Sequence, residues 1–305
     1  MERRRLGRTE HESSVAILGG ACFMACTPAE AERPFREAID RGVNHLDIAP
    51  GYGAAELAVG PHLPTVRDRV FVACKTGRRN PDGVRADLEE SLRRLRTDHL
   101  DLYQLHGVTD LEDLDSRAAA VDVLLEARER GLVRFIGITG HDEGAPAAHA
   151  EAIRRHDLDT VLFPVYPRAF AEPAYRADAE ALLALCRERD VGAMAIKACA
   201  RRPWGEDAPE YLTWYRPQTD PAAIRRGVRF ALSTPGISAF CTPSDLELLP
   251  RALDAAESFA PLSPEEWAGA IEEMADEPPI FPLRENARHP AWLADRVRGL
   301  FAPPA

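Results

Sequence analysis

The chain has 305 residues, of which 45% are hydrophobic and 29% are charged, and its formal net charge at pH 7 is −11. This composition is typical of a globular protein with a large buried core. The acidic balance argues against nucleic acid or an anionic membrane as the main partner.

Strand-like and helix-like segments alternate from the first apolar run onward. That run begins at Val15 and is too short to cross a bilayer, so it is interpreted as strand one and not as a targeting segment. Apolar runs rich in β-branched and aromatic residues predict strands at 15–20, 44–49, 70–76, 99–106, 135–140, 160–165, 191–198 and 237–242. Helical patterns fall at 28–42, where Pro34 interrupts the pattern, and at 54–59, 84–97, 118–130, 147–156, 181–190, 221–232 and 246–259.

Eight strand–helix units in one chain predict a closed parallel barrel, because each right-handed crossover places its strand beside the previous one. We therefore predict that residues 1–305 form a single α/β domain with the (β/α)8, or TIM-barrel, fold. Two segments lie outside the repeat. An extended loop at 201–219 follows strand seven and is expected on the active-site face, and an extra helix is predicted at 264–276, before proline-rich ends.

The six cysteines form no CxxC pair and no zinc-binding spacing. Free thiols in a cytoplasmic protein without a metal site are the simple interpretation. Cys22 and Cys26 are four residues apart, but no second pair follows, so this spacing is interpreted as accidental.

Four residues that can carry a proton or a charge lie at or just past the ends of predicted strands. Asp47 lies near the end of strand two, and Tyr52 follows it by five residues, just past a Pro-Gly turn. Lys75 ends strand three, and His106 ends strand four. Because the carboxyl ends of parallel strands converge on one face, we expect these side chains to meet there.

Such a group predicts a general acid. An isolated tyrosine has a pKa of about 10, and an ammonium within hydrogen-bond reach is expected to lower it. A carboxylate would keep the lysine charged, and a neutral histidine would hydrogen-bond a substrate oxygen. The fitting reaction is hydride addition to a carbonyl, with Tyr52 protonating the new alkoxide. Each residue alone also fits a structural role, as an ion pair, a turn residue or a core histidine, but the four together favour a catalytic set.

Several stretches resemble the aldo-keto reductase family over most of the chain. RRLGRT followed by AILGG resembles the opening of its bacterial members, and DIAPGYG, CKTG and LEESLRRLRTDHLDLYQLHG resemble its other motifs. The resemblance implies a (β/α)8 barrel with Asp47, Tyr52, Lys75 and His106 as its catalytic tetrad. It also implies NADPH, or less often NADH, bound across the carboxyl face without a Rossmann domain, and no GxGxxG follows a strand here.

The cofactor contacts implied by the resemblance depart from the family pattern. After strand five, Thr139-Gly140-His141 stands where a Ser-Asn pair is common, and His141 can replace the side chain that Gly140 lacks. Phe163 stands at the usual glutamine and Ile196 near the usual stacking aromatic. The expected contacts are Gly20, Ala21, Asp47, Thr139, Gly140, Lys197, Thr242, Ser244 and Asp245.

Some of these residues keep two interpretations. Lys197 either reaches a phosphate or extends to solvent. Thr242, Ser244 and Asp245 are predicted to begin a helix that can bind phosphate, and Asp245 is either its N-cap or a ribose ligand. An acid there would repel a 2′-phosphate, and Arg251 is the nearest base. The choice between NADPH and NADH therefore stays open.

The substrate pocket is predicted from aromatic and small apolar residues near the barrel mouth. Its candidate walls, Cys22, Phe23, Trp204, Trp214 and Tyr215, favour an apolar or aromatic carbonyl compound, although they fit loop packing equally well. The leading hypothesis is an NAD(P)H-dependent carbonyl reductase. The alternatives are a nucleotide-binding regulatory partner protein with little turnover and a barrel that catalyses dehydration or isomerisation. The oligomeric state is left open.

Overall fold

The centre of the molecule is a closed barrel of eight parallel strands. The computed structural model describes residues 1–301; the end of the predicted domain 1–305, with its last prolines, lies outside the described residues. The strands are β1 (Ala16–Gly19), β2 (His45–Asp47), β3 (Phe71–Thr76), β4 (Leu100–Val108), β5 (Val133–Gly140), β6 (Thr160–Pro164), β7 (Gly192–Ile196) and β8 (Ile237–Cys241). They pair in chain order and β8 returns to β1, so the predicted (β/α)8 fold is confirmed.

A helix follows each strand and covers the outside of the barrel. These helices are α1 (Pro28–Asp40), α2 (Ala55–Val59), α3 (Pro81–Leu95), α4 (Ala118–Glu129), α5 (Ala145–Arg155), α6 (Pro173–Arg189), α7 (Pro221–Ser233) and α8 (Leu249–Glu257). Short helices at Leu111–Asp115 and Pro167–Phe170 precede α4 and α6. Within residues 1–301, no helix is both long and apolar enough to span a bilayer.

Local signals set several of these helix boundaries. Thr27 and Glu30 form a reciprocal capping box at the start of α1, and Asp220 accepts two backbone N–H bonds at the start of α7. Pro34 lies inside α1 without ending it, because the buried face that includes Phe35 and Ile39 packs on the barrel and outweighs one lost hydrogen bond.

An amino-terminal hairpin, which the sequence analysis did not predict, closes the bottom of the barrel. Arg3–Arg5 pairs antiparallel with Glu12–Ser14. Between the two strands Leu6 is fully buried and packs inside the barrel with residues such as Leu102 and Met194. Three-residue strands built largely of arginine and serine carry no apolar alternation, so no sequence pattern revealed them.

The carboxyl face of the barrel is covered by two segments outside the repeat. The two ends of the loop 201–219 are joined by a small hairpin in which Ala200–Arg202 pairs with Arg216–Pro217. The predicted extra helix is α9 (Pro264–Met274), and beyond it come a turn of helix at Leu283–Asn286 and a helix that was not predicted, α10 (Leu293–Phe301). In α10, Arg296 donates to the Ala25 carbonyl at 3.1 Å, which holds this helix near the barrel mouth.

Candidate active site

A buried ion pair joins the ends of two neighbouring strands. Asp47 is the last residue of β2, and Lys75 is the fifth residue of β3. The Lys75 ammonium donates to Oδ2 of Asp47 and also, at 3.3 Å, to the Ile48 carbonyl. Both side chains are buried and have lost their hydrating water. The attraction between the two opposite charges compensates for that loss.

Two residues that the sequence analysis missed also contact the Asp47 carboxylate. Gln104 lies opposite Lys75 in the β3–β4 register, and its side-chain amide donates to Oδ1 of Asp47 at 3.3 Å. The Cys241 thiol, at the end of β8, donates to Oδ2 with a sulfur–oxygen distance of 3.8 Å. Gln104 was detectable in principle, because it lies two residues before His106 and shares its face of the strand.

The phenol and the imidazole lie next to this pair. The Tyr52 ring lies 5.1 Å, measured to its centroid, from the Lys75 ammonium nitrogen. The Tyr52 and His106 rings meet edge to face, with centroids 5.6 Å apart and planes at 87°. The structure therefore brings together the four side chains that the sequence analysis selected.

The pKa values in this group are set mainly by burial. Burial raises the pKa of Tyr52 to about 12, although the Lys75 ammonium opposes this rise. The expectation that Lys75 would lower the Tyr52 pKa below its ordinary value is therefore wrong for the net shift, because desolvation of the phenolate outweighs the attraction. The phenol accordingly keeps its proton at pH 7.

The other two titratable groups have complementary charge states. Burial lowers the pKa of Lys75, but the Asp47 carboxylate and Tyr52 outweigh burial and raise that pKa above its ordinary value. Burial, aided by the charges of Lys75 and Arg117, lowers the pKa of His106 to about 3. At neutral pH the lysine is charged and the histidine is neutral, as the sequence analysis expected.

A cavity of about 310 Å³ opens at this point on the carboxyl face of the barrel. All four residues line it, together with the predicted contacts Ala21, Thr139, Lys197, Thr242, Ser244, Trp214 and Tyr215. Residues that were not predicted as contacts also line it, among them Leu162, Cys199, Cys241 and Leu283. One cavity therefore joins the tetrad to most of the predicted cofactor positions.

Three predicted cofactor contacts lie outside the cavity lining. Gly20 packs against β2, where an added Cβ would come within 2.7 Å of Ile48. Gly140 is packed against the Val108 carbonyl, which an added Cβ would approach to 2.5 Å. Asp245 accepts the backbone N–H groups of Leu212 and Glu247, each at 2.8 Å, so its carboxylate holds the chain's own loops.

The loop after β8 also differs from its predicted form. The helix α8 begins at Leu249, without a side-chain cap, so Thr242, Ser244 and Asp245 do not form a helix N-terminus. The Ser244 hydroxyl donates to the Leu212 carbonyl at 3.0 Å. This bond and the Leu212 N–H bond to Asp245 fasten the loop after β8 to the 201–219 segment.

Three of the candidate pocket walls belong to the packed interior. Cys22, like Phe23, is fully buried in the main hydrophobic core and does not line the cavity. Trp204 is buried inside the 201–219 segment, where its indole N–H donates to the Thr213 carbonyl at 3.0 Å. For Cys22, Phe23 and Trp204 the pocket interpretation is wrong and the packing interpretation holds. The sequence could not separate the two, because packing and pocket lining select the same apolar residue types. Trp214, by contrast, faces the cavity.

Two polar side chains near the end of β5 remain available to a ligand. The Thr139 hydroxyl oxygen accepts the Gly107 N–H at 3.1 Å, which leaves its own proton free to donate. The His141 ring lies 5.7 Å from the His106 ring, and its Nδ1 is buried without a hydrogen-bond partner among residues 1–301. Burial also lowers the pKa of His141 well below its ordinary value, so this imidazole is neutral.

Lys197 lies at the cavity side of the loop after β7. Its side chain is 7% exposed and its ammonium lies 5.1 Å from the centroid of the Tyr215 ring. The interpretation that Lys197 extends to solvent is therefore wrong, because the surrounding loops enclose it. Each of the six cysteines is a free thiol, as predicted, and within residues 1–301 no group of three or more His, Cys, Asp or Glu residues could hold a metal ion.

The closed (β/α)8 barrel and the protonated phenol beside a buried lysine–aspartate pair fit a barrel oxidoreductase. Comparison with known proteins specifies the family. The family model described as Aldo/keto reductase family matches residues 17–205, more than half of the chain, and the chain belongs to that family.

Individual relatives are more distant. An uncharacterized oxidoreductase of Bacillus subtilis is 33% identical over 154 residues, 46% of this chain and 49% of that protein. D-threo-aldose 1-dehydrogenase of a Pseudomonas species is 30% identical over 212 residues, 58% of this chain and 61% of that protein. The chain spans about half the length of the curated relatives it matches.

Solved structures share the fold at low identity. The holo form of an aldo-keto reductase from Bacillus halodurans superposes with a TM-score of 0.70 and 22% identity, covering 93% of this chain and 99% of that one. An aldo-keto reductase from Klebsiella pneumoniae in complex with NADPH gives a TM-score of 0.65 and 22% identity, covering 91% and 96%. At this identity the likeness establishes the barrel fold.

Proposed function

We propose that the protein reduces an aldehyde or ketone to an alcohol with NADPH. The observation that carries this proposal is the placement of a protonated Tyr52 between the Lys75–Asp47 pair and a neutral His106, on one cavity. This arrangement can deliver a proton to an oxygen as negative charge develops on it.

Each residue has a separate part in the proposed reaction. When bound, a reduced nicotinamide supplies the hydride to the carbonyl carbon. Tyr52 gives its proton to the carbonyl oxygen, and the Lys75 ammonium stabilises the resulting tyrosinate. Asp47 keeps Lys75 charged and fixed in position. The His106 imidazole donates a hydrogen bond that orients the carbonyl oxygen and polarises the carbonyl.

The cavity also carries groups that suit a nicotinamide nucleotide. The buried Nδ1 of His141 lacks a partner among the described residues, and the Thr139 hydroxyl keeps a proton to donate. Both groups can hydrogen-bond the carboxamide of a nicotinamide. The Lys197 ammonium suits a phosphate. NADPH is proposed on family membership. NADH stays an alternative, because Arg251, the nearest base, donates to the Thr219 carbonyl at 2.8 Å and the acidic Asp245 precedes it by six residues.

Replacing Tyr52 by phenylalanine tests the assignment. The change removes the acidic proton and keeps the ring, so kcat for a panel of aldehydes and ketones should fall roughly 100- to 10,000-fold. Fluorescence titration with NADPH and NADH should show nucleotide binding retained by the variant. Unchanged turnover in Tyr52→Phe, or a wild-type protein that reduces no compound of the panel, would contradict the proposal.

A second candidate is a nucleotide-binding partner protein with little turnover. The observation in its favour is that Ser244, Asp245 and Arg251, near the family's adenosine contacts, all bond the protein's own 201–219 segment. Tight nucleotide binding with negligible reduction of every tested carbonyl, together with a stable complex in a pull-down, would favour it. Steady turnover on a small carbonyl compound would count against it.

We also propose that residues 1–305 act as one domain on a small carbonyl compound, without nucleic acid or membrane as partner. The cytoplasmic location rests on the six free cysteines. Limited proteolysis that released a stable fragment smaller than the barrel would argue against a single domain.

A further inference from the structure

The distribution of lysine in this chain is unusual. Of 38 basic residues other than histidine, only Lys75 and Lys197 are lysine, and every other one is arginine. Both lysines are buried, and both line the same cavity. A lysine ammonium is a compact charge, whereas an arginine guanidinium is a wide planar fork, so the two are not interchangeable in an enclosed site. Position 197 therefore carries a compact ammonium that faces the site of the proposed reaction.

The two lysines differ in how their charge is balanced. Lys75 pairs with Asp47. Lys197 has no carboxylate oxygen within 4.0 Å and makes no side-chain hydrogen bond among residues 1–301. A buried charge without a partner is costly, and proteins normally pair it or let it lose its proton. The cavity thus contains one enclosed cation whose partner is missing from the described protein atoms.

The backbone of Lys197, which lines the cavity, has an uncommon conformation. Lys197 adopts a left-handed conformation with φ of 69°, which is strained for a residue other than glycine. The side chain then lies over the Tyr215 ring and next to His141, whose pKa it lowers. Strain of this kind persists only where surrounding structure enforces it, and it is concentrated at functional sites.

The charged and titratable groups that face Lys197 do not neutralise it. Burial lowers the pKa of Lys197 to about 8, and the more distant Asp142 carboxylate opposes this shift. Asp142 itself accepts the backbone N–H of Leu283 at 2.7 Å. His141 is neutral, and burial also raises the pKa values of Cys199 and Tyr215 in this lining, so neither supplies an anion at pH 7.

We propose that Lys197 forms an anion subsite of the cavity, which pairs with a carboxylate or a phosphate of the ligand that also reaches Tyr52. Both residues line one cavity of about 310 Å³, so a single small ligand can contact both. The proposal rests on the proposed function for the identity of this ligand. Two sources share the chemistry: a carbonyl substrate that carries a carboxylate, and the phosphates of the nicotinamide nucleotide.

Because the chain has only two lysines, NMR can observe the subsite directly. Lysine labelled with ¹³C at Cε and ¹⁵N at Nζ should give two side-chain signals, and Lys197→Arg assigns one of them. The probes are NADPH, NADH, 4-oxobutanoate and the uncharged 4-oxobutanamide. Pairing with an anion favours the ammonium, so saturation with the correct probe should raise the pKa of Lys197 by at least one unit. The Lys75 signal is the internal control, since its ammonium is already paired with Asp47.

The pattern of responses separates the two sources. A raised Lys197 pKa with nucleotide alone assigns the subsite to phosphate. A raised pKa with 4-oxobutanoate, and not with 4-oxobutanamide, assigns it to a substrate carboxylate. If the Lys197 signal ignores all four probes while binding is detected by fluorescence, the proposal is overturned.

Kinetics provide a second readout that keeps the two proposals distinguishable. For a carboxylate subsite, Lys197→Met should reduce the ratio of kcat/KM for 4-oxobutanoate over 4-oxobutanamide at least tenfold, and Lys197→Arg should retain part of that preference. For a phosphate subsite, the KM for nucleotide should rise at least tenfold instead. If both aldehydes are reduced but neither quantity changes in Lys197→Met, the subsite is refuted and the reductase assignment stands. If neither aldehyde nor any other carbonyl is reduced, the proposed function fails, and the NMR response still tests the subsite.

Discussion

Replacing Lys197 with methionine is expected to stabilise the folded protein, whereas the same replacement at Lys75 is expected to destabilise it. Methionine has nearly the length of lysine and removes the charge. At position 197 it removes a buried ammonium that lacks a paired carboxylate in the described structure, but at position 75 it leaves the Asp47 carboxylate without its cation. The two replacements should change the free energy of unfolding in opposite directions, because the Lys75 charge is balanced by a carboxylate and the Lys197 charge is not.

The size of the effect at Lys197 follows from the shift of its pKa from 10.5 to about 8. A shift of one unit corresponds to about 1.4 kcal/mol, so holding this lysine charged at pH 7 costs about 3 kcal/mol as an upper value. Allowing for relaxation, Lys197→Met should raise the free energy of unfolding by about 1–3 kcal/mol. Removing one partner of the buried Lys75–Asp47 pair should lower it by about 3–5 kcal/mol.

The gain at Lys197 should also depend on pH. The folded-state pKa of Lys197 lies below its unfolded value, so the unfolded chain binds more protons between about pH 8 and pH 10.5. Wild-type stability should therefore gain a contribution as pH rises through this window, and Lys197→Met should lack that contribution. The difference between the two proteins is expected to be full below pH 8 and to shrink toward pH 10.5.

Urea unfolding followed by circular dichroism at pH 7 and pH 10 measures these differences for the wild type and both methionine variants. Lys197→Arg is the matched control, because it keeps a buried charge and should not stabilise the protein. A Lys197→Met variant that is less stable than wild type at pH 7 by more than about 1 kcal/mol would refute the reasoning. That result would mean that the ammonium is paired inside the folded protein.

Three further predictions concern other parts of the molecule. Leu6→Ala should lower the free energy of unfolding, measured in urea, by about 2–5 kcal/mol, because it leaves a cavity where the Leu6 side chain packs inside the bottom of the barrel. A loss under about 1 kcal/mol would show that the amino-terminal hairpin contributes little to stability. The His106 ring signals in NMR should keep their neutral positions from pH 8 down to pH 5, since the pKa of His106 is about 3, and an inflection near pH 6.5 would contradict its burial. Asp245→Ala removes the acceptor of the Leu212 N–H, so chymotrypsin, which cleaves after aromatic residues such as Tyr211 and Trp214, should cut the 201–219 segment faster than in wild type; equal cleavage rates would show that this bond does not hold the segment.

The sequence determined the architecture and the group of four polar residues. Alternating strand and helix patterns predicted the barrel, and the positions of Asp47, Lys75 and His106 at strand ends predicted that these side chains would meet. These inferences held because hydrophobic periodicity is local, and because parallel strands joined by right-handed crossovers align their carboxyl ends.

Tertiary structure decided what surrounds each group. The sequence suggested that Lys75 would lower the Tyr52 pKa, but burial raises that pKa. Cys22 and Trp204 fitted pocket walls as well as core packing, and both are packed in the interior. The sequence also did not indicate that Lys197 would be buried without a carboxylate partner among the described residues. Burial and charge pairing depend on atoms contributed by residues distant in sequence, so they can be known only from the folded structure. Periodicity and strand order depend on residues that are neighbours in the chain, so the sequence alone predicts them.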